Sequence, residues 1–307
     1  MQADGLSSEC PQLSNVSPQP SSETTETARL RASHVALRTL ICSLCDRADE
    51  WRAEGRYGEA ETLYERALPL AEQVCGPQEV AIICNNLAVT YKYTGKHDEA
   101  AQLYERALPL LEQSLGPEHP EIAVLYHNLG GLEHARGRFV TGEPLARRSV
   151  EIRERALGPN HPEVAADIAA LAAILDGQGR YDESEPLYGR ALEIFEREYG
   201  PEHYEVAINL NNLAAVKYAQ GHLDVAEQLY RRALTVKEKL LTAEHPDVGV
   251  TLNNLAVLCK AQGRYAEAAA LYTRALAIFE QSFGPRHPKA ISCGENYARL
   301  MREIEPS

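Results

Sequence analysis

Asparagine is a mediocre helix former, yet this chain repeats it at a fixed interval inside apolar-patterned stretches. Asn86 recurs as Asn128, Asn212, Asn254 and Asn296; Asn85 recurs as Asn211 and Asn253, with His127, Ala169 and Glu295 at the remaining equivalents. An amide carries both donors and an acceptor, so such a row has two uses. It can grip the backbone of an extended peptide, or it can bond amide to amide between adjacent helices, as buried polar groups usually do. Lys92, His134, Tyr218 and Lys260 fall beside these amides and share their helix face, with Asp176 at the equivalent place. Other constellations are poorer. His119, His161, His203, His245 and His287 come one per interval, too spread to share a metal, and belong to the loop design. His127 and His134 lie seven residues apart on one helix face and could hold a metal only with a ligand from elsewhere. Cys42 and Cys45 form a C-x-x-C with no second pair to complete a zinc site. No nucleophile elbow, P-loop or zincin motif appears, so no catalytic group, metal or cofactor is expected.

The interval itself organises the chain. Gly95 recurs as Gly137, Gly179, Gly221 and Gly263, each 42 residues after the last, and Leu87 recurs as Leu129, Leu171, Leu213 and Leu255. A fixed period of this size means stacked helix pairs with neighbour-only contacts. Each unit opens on an acidic residue (Glu79, Glu121, Glu163, Glu205, Asp247) where the helix dipole favours one, usually after a proline. A first helix runs about sixteen residues to the glycine. A second helix then carries an Ala, Leu and Tyr stripe, as in Ala60, Leu63, Tyr64 and Ala67. Gly116, Gly158, Gly200 and Gly284 supply left-handed helix ends, and Pro69, Pro109, Pro144 and Pro186 should kink the second helices locally.

The boundaries follow. Residues 1–28 are rich in Ser, Thr, Pro and Gln with no basic residue, and are expected to be a disordered tail whose hydroxyls are open to phosphorylation. Residues 29–307 form one elongated repeat domain, with units at about 35–78, 79–120, 121–162, 163–204, 205–246 and 247–288 and a closing helix over 289–304. The first unit is irregular, with Asp46 in an asparagine position and a loop two residues short, as a capping repeat would be.

A formal net charge of −13 argues against nucleic acid as a partner. No run reaches the roughly 18 apolar residues of a membrane span, and no signal pattern opens the chain. The seven cysteines are odd in number and scattered, which suits reduced thiols and a cytoplasmic location.

The order NNLA, Tyr, Gly, Ala, LY.RAL and GPEHP resembles the tetratricopeptide repeats of kinesin light chains, which share the 42-residue length, and does so over about residues 35–300. The resemblance implies an all-α fold, a right-handed superhelix of antiparallel helix pairs with a concave groove that takes extended segments of partner proteins. Carried over position by position, it implicates Asn85, Asn86, Lys92, Asn128, Asn211, Asn212, Asn253, Asn254 and Lys260, with His127, His134 and Tyr218 at equivalent positions. The first 28 residues lack the heptads that would join a motor heavy chain, and the unit at 163 replaces its amide pair with Ala169 and Ala170. The expected function is a non-catalytic scaffold or adaptor for an unidentified protein or peptide. A kinesin light chain-like cargo adaptor, a receptor for a small peptide or metabolite, and an oligomerisation module are the alternatives; composition leaves the oligomeric state open.

Overall fold

The computed structural model describes residues 25–304. They form thirteen α-helices, with no strand among the described residues. In chain order these are α1 (Thr25–Ala53), α2 (Tyr57–Val74), α3 (Pro77–Thr94), α4 (His97–Leu115), α5 (Pro120–Ala135), α6 (Phe139–Leu157) and α7 (Pro162–Gly177). Then follow α8 (Tyr181–Tyr199), α9 (Tyr204–Ala219), α10 (Leu223–Leu240), α11 (Pro246–Ala261), α12 (Tyr265–Phe283) and α13 (Pro288–Ile304). α1 opens at Thr25, so residues 25–28 are helix and not part of a disordered tail. Residues 1–24, the rest of that expected tail, lie outside the described residues. The chain divides into two compact units, one ending at Pro159 and one beginning at Asn160. The first holds α1 to α6 and the second α7 to α13.

Within each unit, consecutive helices pack in pairs, and neighbouring first helices also touch: α3 with α5, α7 with α9, α9 with α11. The amphipathic second helices explain this. Ala60, Leu63, Tyr64, Ala67 and Ala71 of α2 are all buried, as are Ala100, Tyr104, Ala107 and Leu111 of α4 and Ala226, Tyr230, Ala233 and Val236 of α10. The alanines recur seven residues apart and let the first helix approach closely, while the larger side chains fill the space above and below. First helices are buried on more than one side: α3 buries Val80, Ala81, Ile83, Cys84, Leu87, Ala88 and Val89 between its own partner and its neighbours. The four prolines lie inside α2, α4, α6 and α8, which run on through them. All four are exposed, so the carbonyl each leaves unpaired can turn to water.

The loops are built from two complementary ends. Gly116, Gly158, Gly200 and Gly284 close the second helices at φ of 86°, 85°, 83° and 84°. Their ψ values of 153° to 166° place them in a region that only glycine occupies readily. The histidine three residues on then caps the next helix. His119, His161, His203, His245 and His287 each accept through Nδ1 from the backbone N–H two residues later, at 3.1–3.3 Å. His203 and His287 also lie on Tyr199 and Phe283, at ring separations of 4.3 and 4.4 Å. The loop that lacks this histidine caps itself differently: the Gly76 N–H donates to Glu79 Oε2 at 2.6 Å, and Arg38 binds the same carboxylate.

Two features depart from the apolar pattern. Cys45, Cys75, Cys84, Cys259 and Cys293 are free thiols, but Cys42 is disulfide-bonded, which corrects the expectation of fully reduced cysteines for that residue. Cys45 being free, the C-x-x-C is not internally bridged. Lys237 of α10 stands where α4, α8 and α12 carry Leu111, Phe195 and Phe279, and it is only 3% exposed. Its ammonium donates to Thr251 Oγ1 (3.0 Å) and to the Asp247 carbonyl (3.3 Å), both neutral acceptors. Burial lowers its pKa from an ordinary 10.5 to about 8.

Two measurements check these statements. Gly200→Ala forces a side chain into a glycine-only conformation and is expected to cost about 1–3 kcal/mol, read as a lower urea midpoint by circular dichroism. Because the folded pKa of Lys237 lies below its unfolded value, protonation weighs against folding, fully below pH 8 and less as pH rises to 10.5. That penalty is about 3 kcal/mol at neutral pH. Lys237→Met should therefore be the more stable protein at pH 7, with its advantage shrinking towards pH 10; a pH-independent difference would contradict a buried ammonium.

Candidate functional site

The asparagines of the first unit face inward. Asn85, Asn86 and Asn128 are 0%, 1% and 0% exposed. Asn128 Nδ2 donates to Asn85 Oδ1 at 2.9 Å, and Asn85 Nδ2 donates to Asn86 Oδ1 at 3.0 Å. Of the two uses open to such a row, the amide ladder between adjacent helices is the one present here. α3 and α5 approach closely enough to put mid-helix amides edge to edge, and a buried amide must use both ends inside the protein. Asn211 of α9 is likewise buried and accepts from Thr251 Oγ1 at 3.2 Å, which ties it to the Lys237 network. Asn212, Asn253 and Asn254 are half-buried, and Asn253 Nδ2 donates to Asn254 Oδ1 at 3.4 Å.

The reachable chemistry lies one turn further along. Lys92, His134, Asp176, Tyr218 and Lys260 occupy one and the same place in successive first helices. Lys92 is half-buried, makes no ion pair among the described residues, and holds its ammonium 5.3 Å from the Tyr93 ring. Tyr93 in turn stacks on Tyr57 at 4.6 Å. Gly131 on α5 lies beside that ammonium, which a Cβ there would meet at an ordinary contact distance of 3.5 Å. His134 is exposed with its ring edge-on to Phe139 at 5.4 Å; burial first, and the Lys92 charge second, lower its pKa. Two basic groups thus adjoin with no carboxylate between them. His127, on the same helix, is half-buried. Lys260 differs from Lys92 because the closing helix reaches it: Glu303 Oε1 lies 2.6 Å from its ammonium.

The second unit continues the row at Asp176 and adds two tyrosines that the pattern of types had not marked. Asp176 is half-buried, and burial raises its pKa. Its carboxylate makes no hydrogen bond or ion pair among the described residues. Tyr188 and Tyr230, from α8 and α10, are 1% and 3% exposed. Their pKa values are raised by burial and then by charged neighbours that include Asp176. Neither hydroxyl donates within the described chain, and neither is among the fully sealed polar atoms. The capping repeat shows what this position can do, because the equivalent Tyr64 hydroxyl donates to Asp49 Oδ1 of α1. In α7 and α9 the counterparts of Asp49 are Ala173 and Ala215, which offer the hydroxyls no side-chain acceptor. The signal was present in the sequence as a tyrosine at the 42-residue period, but it was legible only as core.

At the shortened loop an open cleft of about 620 Å³ is lined by Glu72, Cys75, Arg106 and Leu110 among others. Its charges neutralise each other, Arg106 pairing with Glu72 at 2.6 Å. Among the described residues no group of three or more His, Cys, Asp or Glu could hold a metal ion, and no helix is long and apolar enough to cross a membrane.

No curated protein matches the chain. Among solved structures, BtubC (BKLC) from P. vanneervenii is 25% identical at a TM-score of 0.58, over 82% of this chain and 94% of that one. A P. anserina protein assigned as a kinesin light chain with nearly identical repeats is 25% identical at a TM-score of 0.56, over 67% of this chain and 97% of its own. A Rap protein complexed with Competence and Sporulation Factor has the same fold at 14% identity and a TM-score of 0.62, over 90% of this chain and 79% of its own. The tetratricopeptide repeat profile matches residues 48–113, 79–141, 121–181, 164–239 and 244–305. Matched in this way along almost all of its described helices, the chain belongs to the tetratricopeptide repeat family.

Proposed function

We propose that this protein is a non-catalytic scaffold that binds an extended segment of a partner protein along the face formed by its first helices. The observation that carries this reading is the row Lys92, His134, Asp176 and Tyr218. Each unit holds one polar or charged side chain per repeat at one register, Lys92 and His134 in the first and Asp176 and Tyr218 in the second; Lys92 makes no ion pair, and the Asp176 carboxylate no hydrogen bond or ion pair, among the described residues. A linear ligand with a side chain every few residues matches a linear array of that kind, and no set of acid, base and nucleophile converges to suggest a reaction. The contact residues are then Lys92, His127, His134, Asn212, Tyr218, Asn253, Asn254 and Lys260. Asn85, Asn86, Asn128 and Asn211 act from the interior by holding neighbouring first helices in register.

The similarity to BtubC (BKLC) and to the P. anserina protein supports a finer reading, a kinesin light chain-like adaptor working in the cytoplasm. The Rap structure supports the broader one, since there the same fold is complexed with Competence and Sporulation Factor.

The test separates the open face from the interior ladder. Random twelve-residue peptides displayed on phage are panned against the full chain, and the enriched peptides are titrated against variants by fluorescence anisotropy. Tyr218→Ala and Asn254→Ala are each expected to weaken binding about fivefold, the loss of roughly one net polar contact, with unchanged melting. Asn85→Ala is expected to lower the melting temperature, because it removes the buried bonds from Asn128 Nδ2 and to Asn86 Oδ1. No enriched peptide, or equal weakening by the exposed Glu193→Gln on α8, would overturn the reading.

A further inference from the structure

Asp176 is a carboxylate without a use in the fold. It sits on the last turn of α7, half-buried, yet it caps no helix and meets no cation among the described residues. Keeping a carboxylate partly out of water without compensation costs free energy, so its placement calls for a ligand or a reason in packing. Packing gives none. The side chains that share its helix face are Ala169, Ala170 and Ala173, all half-exposed, and they form an apolar floor without polar competition. The side chains that sense its charge are aromatic. The phenols of Tyr188 and Tyr230 are near enough to respond to its charge, and Tyr218 acts on Tyr230 in the same way.

We propose that Asp176, the alanine floor of α7 and the Tyr218 phenol form a subsite for a lysine or arginine side chain of the bound segment. The parts match those of such a side chain. Ala169, Ala170 and Ala173 accept the methylene stem, Asp176 pairs with the cationic head, and the half-buried Tyr218 offers its hydroxyl to the adjacent peptide carbonyl. A half-dehydrated carboxylate gains more from that pairing than a fully solvated one, because part of the dehydration is already in place in the free protein. This unit therefore reads a basic residue, whereas Lys92 of the first unit presents the opposite charge.

The inference rests on the peptide-binding reading, and the experiment keeps their failures apart. The probe is an array of twelve-residue peptides derived from the enriched set, each position scanned with Lys, Arg, Ala and Glu, and incubated with the full chain at physiological salt. For the wild type, one position is expected to favour Lys or Arg over Glu by about tenfold. Asp176→Asn, nearly isosteric, is expected to erase that preference while leaving the rest of the profile intact. Asp176→Lys is expected to invert it, giving a gain that loss of folding cannot imitate. Glu193→Gln, which removes one exposed charge from α8, controls for the general attraction of an acidic protein for basic peptides and should leave the profile unchanged. If peptides bind but no position prefers a cation, or if Asp176→Asn keeps the preference, the subsite is overturned and the groove stands. If no peptide binds, the groove itself is overturned.

Discussion

No helix pair in this chain can bury its own apolar surface. Each second helix has one stripe of small and apolar residues, with a tyrosine in all but α6, and each first helix is apolar over so much of its circumference that one partner cannot cover it. Stacking is therefore what makes the helices stable, and the remaining features of each unit follow from keeping the stack in register. Alanines such as Ala107 and Ala233, at 0% exposure, set how closely the helices approach. The glycine-only helix ends and the histidine caps repeat the same local geometry at each loop that carries both. The amides of Asn85, Asn86 and Asn128 serve the same end, since their bonds form only when adjacent first helices align.

That constraint decides what is left for function. Positions between first helices are filled by packing, and positions on the second helices by stripes and by surface ion pairs such as Arg232 with Glu196 and Arg274 with Glu238. The last turns of the first helices escape both demands. There the residue type changes from repeat to repeat, from Lys92 to His134, Asp176, Tyr218 and Lys260, while the packed positions hardly vary. Variation in one register over a constant frame is how a repeat protein can specify a linear partner without altering its fold. The Lys260 and Glu303 pair shows the same chemistry satisfied from within the chain, at the closing helix.

Most of the fold was legible because period and stripe are properties of residue type alone. The glycines at 42-residue intervals, the acidic first turns and the loop histidines all stand where spacing put them, with the histidines acting through Nδ1 as caps, a role that type alone did not specify. The asparagines were ambiguous for a physical reason. A mid-helix amide at a repeated position fits an open groove and a closed ladder equally, and only the distance between helices decides; Asn85 and Asn128 at 2.9 Å are the ladder. Tyr188 and Tyr230 were hidden for the converse reason, because a tyrosine in an apolar stripe reads as core whether or not its hydroxyl emerges between the helices in front of it. The buried Lys237, like Arg153 at the same position of α6, was equally unsignalled, as was the division of the chain at Pro159, since the repeat pattern continues across it.

The central claim is that a peptide lies along the first helices, contacting the side chains that packing leaves free. A crystal structure of the full chain with an enriched twelve-residue peptide tests it most directly. The account predicts an extended peptide running past Tyr218 and Asn254, with a basic side chain at Asp176 and with Asn85 and Asn128 still bonded to each other. A peptide seated on the second helices, or one that opens the asparagine ladder to bond with it, would contradict the account.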